Sequence, residues 1–263
     1  LRAPRWRSVL VGLIALAAIL LVWHVAASIV AGSGSSVAAM MLPHPAEVGA
    51  SLVNDAALIA EAAWATMRGA LIGLLVGTAV GFAIGVLMAQ ARWIEDASYP
   101  YIVAAQMIPT VALAPIVLGA VRDPEVTKVI VAAYLAVFPV SLGVIKGLKS
   151  TSPQALELMR TYHSGRWQQF RKLRLPASLP FFFAGLKVAA PLAVIGEIVV
   201  ELAGSKDGLG TLLLTTQYYG GARYAYLFWA TLLVTLSLGL LFAAAAALLE
   251  RIAAPWQPEF RQR

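Results

Sequence analysis

Hydrophobic positions fall in long unbroken blocks in this chain, and polar positions are confined to the short stretches between them. Apolar runs cover 9–30, 64–89, 99–121, 126–146, 181–203 and 224–249. Each is long enough to cross the hydrocarbon of a bilayer as a helix. The pattern predicts an all-α, polytopic membrane protein of about six transmembrane helices. It forms a single domain over 1–263, with its core at 60–250. Pro43 and Pro45 open a further, shorter segment at 42–60 that carries Glu47, Asp55 and Glu61. It reads as a helix lying at the outer surface.

Several runs carry residues that lipid alone does not explain. The second run has Gly69, Gly73, Gly77, Gly81 and Gly85, a glycine at every fourth position. In lipid this spacing lets another backbone approach closely. Both a seam against a moving helix and static packing within the bundle fit it. The third run is broken by Pro109 and Pro115, with Gln106 and Thr110 one turn apart beside the break. Such breaks are tolerated where a helix is buried in protein or lines a cavity, so Gln106, Pro109 and Thr110 are candidates for a pathway. The fourth run is expected to kink near Pro139. The fifth holds Lys187, Glu197 and Glu201. Intramembrane charges are costly and usually face a cavity or a partner. Lys187, near an end, can snorkel to the surface. Glu197 and Glu201 lie one turn apart on one face, as pathway or gate residues or as structural hydrogen-bonding groups. The segment 204–221 reads as an outer loop whose apolar 212–214 dips to the membrane edge.

Composition sharpens this picture. Of 263 residues 60% are hydrophobic and 13% charged, far from a soluble profile. The formal charge of +7 is no nucleic-acid signal, because the basic residues sit in loops. Thirteen lysines and arginines fall on the segments proposed to face inward, against three (Arg122, Lys206 and Arg223) on those proposed to face outward. By the positive-inside rule both termini are cytoplasmic. The first run, preceded by Arg2, Arg5 and Arg7, exceeds a signal-peptide core and reads as an uncleaved span. With no cysteine, thiol chemistry is excluded.

The longest polar stretch, 152–180, carries Arg160, Arg166, Arg171, Lys172 and Arg174 against one acid, Glu157. Ser152 can cap a helix that starts at Pro153. Ala155, Leu158, Met159 and Tyr162 then share a face, Gly165 supplies the stop, and a second short helix runs from Trp167 until Pro176 ends it. The stretch resembles the cytoplasmic "EAA" loop of bacterial ABC-importer permeases: E-A-A, three residues, G, nine residues, I-x-L-P. Glu157 takes the glutamate position, and Leu173, Leu175 and Pro176 match the end. Leu158 and Met159 stand for the alanines and His163 for the glycine, which leaves the turn to Gly165. LPHPAEV from Leu42, the block from Gly81 to Leu118, and ELAGSKDGLG from Glu201 extend the resemblance to the nitrate/sulfonate/taurine/pyrimidine branch of these permeases.

The resemblance implies a type I importer permease, methionine-permease-like in fold, in the bacterial inner membrane. It implies two permease copies forming the pathway, two cytoplasmic ATPase subunits carrying ATP and Mg, and an extracytoplasmic solute-binding protein. It also implies a coupling loop (150–180) that meets the ATPase through Glu157, Met159, Arg160, Tyr162, His163 and Gly165. No cofactor is expected on this chain. There is no phosphate-loop motif, no H-E-x-x-H helix and no clustered metal set, and His24, His44 and His163 are far apart in the chain. A membrane enzyme would need a polar catalytic cluster at one membrane face. A secondary transporter would be favoured by inverted repeats, and the sequence has no convincing internal repeat.

Overall fold

The computed structural model describes residues 5–32 and 41–256; Arg2, named above before the first run, and the terminal Arg261 and Arg263 lie outside them. All regular structure among the described residues is helical. The helices are α1 (Arg5–Gly32), α2 (Pro45–Asn54), α3 (Ala56–Gln90), α4 (Arg92–Gln106), α5 (Thr110–Val121), α6 (Pro124–Lys149), α7 (Pro153–Thr161), α8 (Arg166–Gln169), α9 (Leu175–Gly204), α10 (Leu209–Tyr219) and α11 (Ala222–Ala253). A π-helical turn, Phe170–Arg174, joins α8 to α9 without a break. Among the described residues five helices are long and apolar enough to cross a membrane, and α4 with α5 together pass the same test as a bent pair, which makes up to six spans.

Local chemistry explains most boundaries. Asp123 caps α6, its side chain accepting from the N–H groups of Glu125 and Val126, and Pro124 takes the first position. Arg122 closes α5 in the left-handed conformation, φ 59°. In α2 the Glu47 carboxylate accepts from the His44 N–H at 3.0 Å, which fixes the helix start. The surface segment expected at 42–60 is therefore shorter, and α3 already begins at Ala56.

Three expectations are corrected. First, α4 and α5 meet at 96° across residues 107–109, while Pro115 sits inside α5. Pro109 disfavours the helical conformation for the residue before it, so the chain breaks at one proline. Gln106 and Thr110 thus end and begin different helices and do not share a face one turn apart. Second, Pro176 does not end a helix. The π turn carries the chain through it, with the Leu175 N–H donating to the Phe170 carbonyl five residues back. The wider turn absorbs the bond and the space that proline disrupts. Third, 209–219 is helix rather than loop.

Packing divides the chain into two compact units, Leu1–Glu61 with Leu212–Val234, and Ala62–Thr211 with Thr235–Arg263. In the first unit, Trp23 donates its indole N–H to the Pro43 carbonyl at 3.0 Å and lies 5.5 Å from the Trp229 ring. Arg223 pairs with Asp55 at 3.1 Å. The rings of His24 and His44 stand 5.1 Å apart despite their separation in sequence, but no third ligand joins them among the described residues.

The second unit is built on α6 and α9. Both lose apolar surface on several sides, burying Ala132, Ala136, Val140 and Val144 of α6 and Ala189, Ala190, Ala193 and Val200 of α9. Small residues set the approach: a Cβ on Gly196 would lie 2.8 Å from Ala132 Cα, and one on Gly143 would lie 2.6 Å from the Phe181 carbonyl. Without a hydrophobic force between helices in lipid, such close contact supplies the cohesion. Ala114 of α5 closes over Val131 and Val200.

Candidate functional site

The glycine row of α3 faces two different groups. A Cβ on Gly77 would stand 2.5 Å from the Ala133 carbonyl of α6, and one on Gly81 would stand 2.6 Å from that of Val137. Gly85 meets Val144 at 2.6 Å, and Gly73 meets Ala132. Gly69 instead faces the carboxylate of Glu197, in the space a side chain would occupy. Four glycines thus admit a helix, and the fifth admits an acid.

That acid belongs to a buried polar cluster at one end of the second unit. Glu197 and Glu201 are both fully buried. Glu201 is satisfied: Thr66 Oγ1 donates to its Oε1 at 2.7 Å, and the Gly210 N–H donates to its Oε2 at 2.7 Å. The Leu209 N–H in turn donates to Thr66 Oγ1 at 2.8 Å. The first, otherwise orphaned N–H groups of α10 are therefore held by the carboxylate, Gly210 directly and Leu209 through Thr66, where the helix dipole favours negative charge. Gly208 has φ 110° and sits against the same carboxylate. A side chain there would be strained and would collide. Glu197, one turn away, has no hydrogen-bond partner for either oxygen among the described residues.

Above this cluster lies an ion triad that sequence reasoning missed. Lys128 of α6 is almost fully buried and donates to Glu125 Oε1 and Asp207 Oδ1, each at 2.8 Å. The hydrogen bond from Lys128 holds the Asp207 carboxyl below its ordinary pKa, against the opposing effect of partial burial. The available signal was a lysine in the first turn of an apolar run, three residues after an acid. Lys187 is likewise paired, with Glu250 at 2.8 Å, rather than snorkelling alone. Two charges far apart in sequence neutralise each other there, which spacing cannot reveal.

The 152–176 segment lies at the other end of the unit. Ser152 Oγ accepts from the Ala155 N–H at 3.3 Å, with Pro153 at the first position of α7. Glu157 and Arg160 are exposed, Met159 is half-buried, and Tyr162 is 78% exposed. Glu157 has no hydrogen bond or ion pair among the described residues. The turn is made by His163 itself, at φ 52°, and not by Gly165, which is extended (φ −67°) and caps α8. The residue in the glycine position of the EAA pattern thus adopts the left-handed conformation that glycine favours. Ser164 stabilises the turn, its N–H and Oγ both donating to the Met159 carbonyl at 3.1 and 2.6 Å. Gln106 and Pro109 are exposed at the α4–α5 elbow.

The family model described as "Binding-protein-dependent transport system inner membrane component" matches residues 77–253. The formylaminopyrimidine transport permease protein ThiX of Halalkalibacterium halodurans is 38% identical over 195 residues, covering 73% of this chain and 76% of that protein. The riboflavin transport system permease protein RibX of Chloroflexus aurantiacus is 34% identical over 222 residues, covering 83% and 81%. Weaker matches include permeases named for aliphatic sulfonates and nitrate. The inward-facing MetNI methionine ABC transporter shares the fold, with a TM-score of 0.63 at 19% identity over 74% of this chain and 96% of that one. The chain belongs to the binding-protein-dependent transport permease family, in the pyrimidine, sulfonate and nitrate branch, and is a membrane-embedded transport subunit of an ABC importer with the type I fold.

Proposed function

We propose that this permease pairs with a second copy of itself to form the pathway for a small polar solute, and that residues 152–176 couple that pathway to a cytoplasmic ATPase. ATP and Mg belong to the ATPase, and the solute arrives on an extracytoplasmic binding protein. The 152–176 end faces the cytoplasm of a bacterial cell, as do both termini. The basic residues of that segment support this orientation.

One observation carries the coupling role. The exposed knob of α7 and its turn leads into a helix that is continuous from Arg166 to Gly204, 39 residues. At the usual rise this is roughly 58 Å, about twice the hydrocarbon thickness. A displacement of the knob therefore reaches Glu197 and Glu201 along one continuous helix, which contains a π turn at Phe170–Arg174. Coupling of two equilibria in this way typically needs about 1–3 kcal/mol of differential contact. Exposed Tyr162, Leu158 and Glu157 offer such contacts.

The pathway or gate is assigned to Gln106, Pro109, Thr110, Glu197 and Glu201. The sharp elbow at Pro109 supports this, since broken helices occur at membrane depth where they line a cavity or meet protein. So does the unpartnered carboxyl of Glu197. The two relatives described above are named for nitrogen heterocycles, which makes such solutes the first class to test with the cognate binding protein.

A cysteine placed at Met159 or Tyr162, in a chain with no native cysteine, should crosslink to the ATPase with a yield that changes on nucleotide binding. Crosslinks that never form, in a complex shown to contain the ATPase, would sink the coupling role.

A further inference from the structure

A cavity of about 490 Å³ opens beside the coupling segment, and its charge is of one sign. Arg160 of α7, Arg166 of α8 and Arg174 of the π turn line it, and no acidic residue does. None of the three arginines makes an ion pair among the described residues. This contrasts with Lys128, Lys149 and Lys187, each of which is paired with a carboxylate. The cavity's other wall is mostly apolar. Val86 and Ala89, near the end of α3, and Leu148, near the end of α6, form most of it, with Gln90 at the helix end beside them, so the cavity lies where two spanning helices leave the hydrocarbon. At its rim Trp167 stacks on Phe170, with ring centroids 5.7 Å apart, and tryptophan is favoured at that depth.

Arginine forks bind phosphate oxygens in pairs, and basic pockets between helices at the cytoplasmic surface suit lipid headgroups. We infer that this cavity binds the phosphate headgroup of an anionic phospholipid of the inner leaflet. Its acyl chains would lie along the apolar ends of α3 and α6. A free phosphate would satisfy the arginines but leave the apolar wall unused, which favours the lipid. Of the reading above, the inference uses only the placement of this segment at the inner membrane surface. A bound headgroup would anchor the base of the coupling segment, fixing the point about which α7 moves.

The test is lipid binding to the full chain purified in detergent, read by native mass spectrometry and by thermal midpoint. The added probes are phosphatidylglycerol, phosphatidylcholine and inorganic phosphate. Phosphatidylglycerol should be retained and should raise the midpoint, whereas phosphatidylcholine and inorganic phosphate should not. Arg166→Gln with Arg174→Gln should weaken phosphatidylglycerol binding about 30-fold, while Lys at both positions, which keeps the charge and loses the fork, should weaken it less. Unchanged affinity in the Gln variant would overturn the inference, as would equal protection by inorganic phosphate or phosphatidylcholine. Loss of ATPase association in the Gln variant with lipid affinity intact would also overturn it, assigning the arginines to protein docking. The binding measurement needs no ATPase. A chain that retains phosphatidylglycerol yet never crosslinks to the ATPase would therefore remove the coupling role and leave the lipid site standing.

Discussion

The second unit carries charge at both ends, but in opposite states. At the end near Lys128, charges and buried donors are mostly matched within the chain: Lys128 with Glu125 and Asp207, Glu201 with Thr66 and the α10 N-terminus. At the end near Arg160, Glu157 and the lining arginines are unmatched and exposed or half-buried. Desolvating an unmatched charge is expensive, so the buried end must satisfy itself in order to fold. The exposed end is solvated and can leave its charges for something else to bind. The first set therefore holds the architecture around the proposed pathway, Glu201 included, and the second is left for recognition. Glu197 is the exception at the buried end, a carboxyl held in place without hydrogen bonds.

Substitutions should separate the two ends. The largest effect is expected where the buried architecture begins, at the glycine row. Gly77→Leu pushes a side chain into the Ala133 carbonyl and should cost about 3 kcal/mol, visible as loss of monodisperse protein on size exclusion. A stable, active variant would show that α3 and α6 can separate freely. Next, Glu201→Ala strips the acceptor from the Gly210 N–H and should lower stability by about 2 kcal/mol. Glu197→Gln keeps the volume and breaks no hydrogen bond, so the thermal midpoint should hold while transport changes. An equal drop in midpoint for both variants would erase the distinction between them.

A smaller effect is expected on acidification. The folded-state pKa of Asp207 is depressed by Lys128, so its contribution is fully present above the ordinary carboxylate pKa of about 4. It is lost as pH falls below that value, through the depressed one. The stability gap between wild type and Asp207→Asn should therefore be constant from neutral pH down to about 5 and shrink below about 4. A gap that already closes near neutrality would contradict the ion pair. Least of all should Glu157→Ala affect stability, within about 0.5 kcal/mol for an exposed residue without partners. Its effect should appear instead as weaker ATPase association or lost stimulation of ATP hydrolysis by the loaded binding protein.

Much of this was legible along the chain, because lipid imposes simple rules. Apolar runs of spanning length mark helices, since backbone groups in hydrocarbon must pair within their own segment. Ser152 and Pro153 mark a helix start because capping needs only neighbours within three residues. The EAA-like pattern was equally local. Tertiary structure decided the matters that need a partner distant in sequence or a competition between neighbours. Thr66 and Gly210 meet Glu201, Asp207 meets Lys128, and Glu250 meets Lys187 only in the fold. Pro176 continues a helix because a π turn upstream absorbs its missing hydrogen bond, and His163, not Gly165, takes the left-handed turn because Ser164 bonds back to Met159. Sequence alone determined where the long apolar helices run and where the chain is basic. Only the fold decided which of its charges are paired and which are left open, because pairing depends on distances in space and not on spacing along the chain.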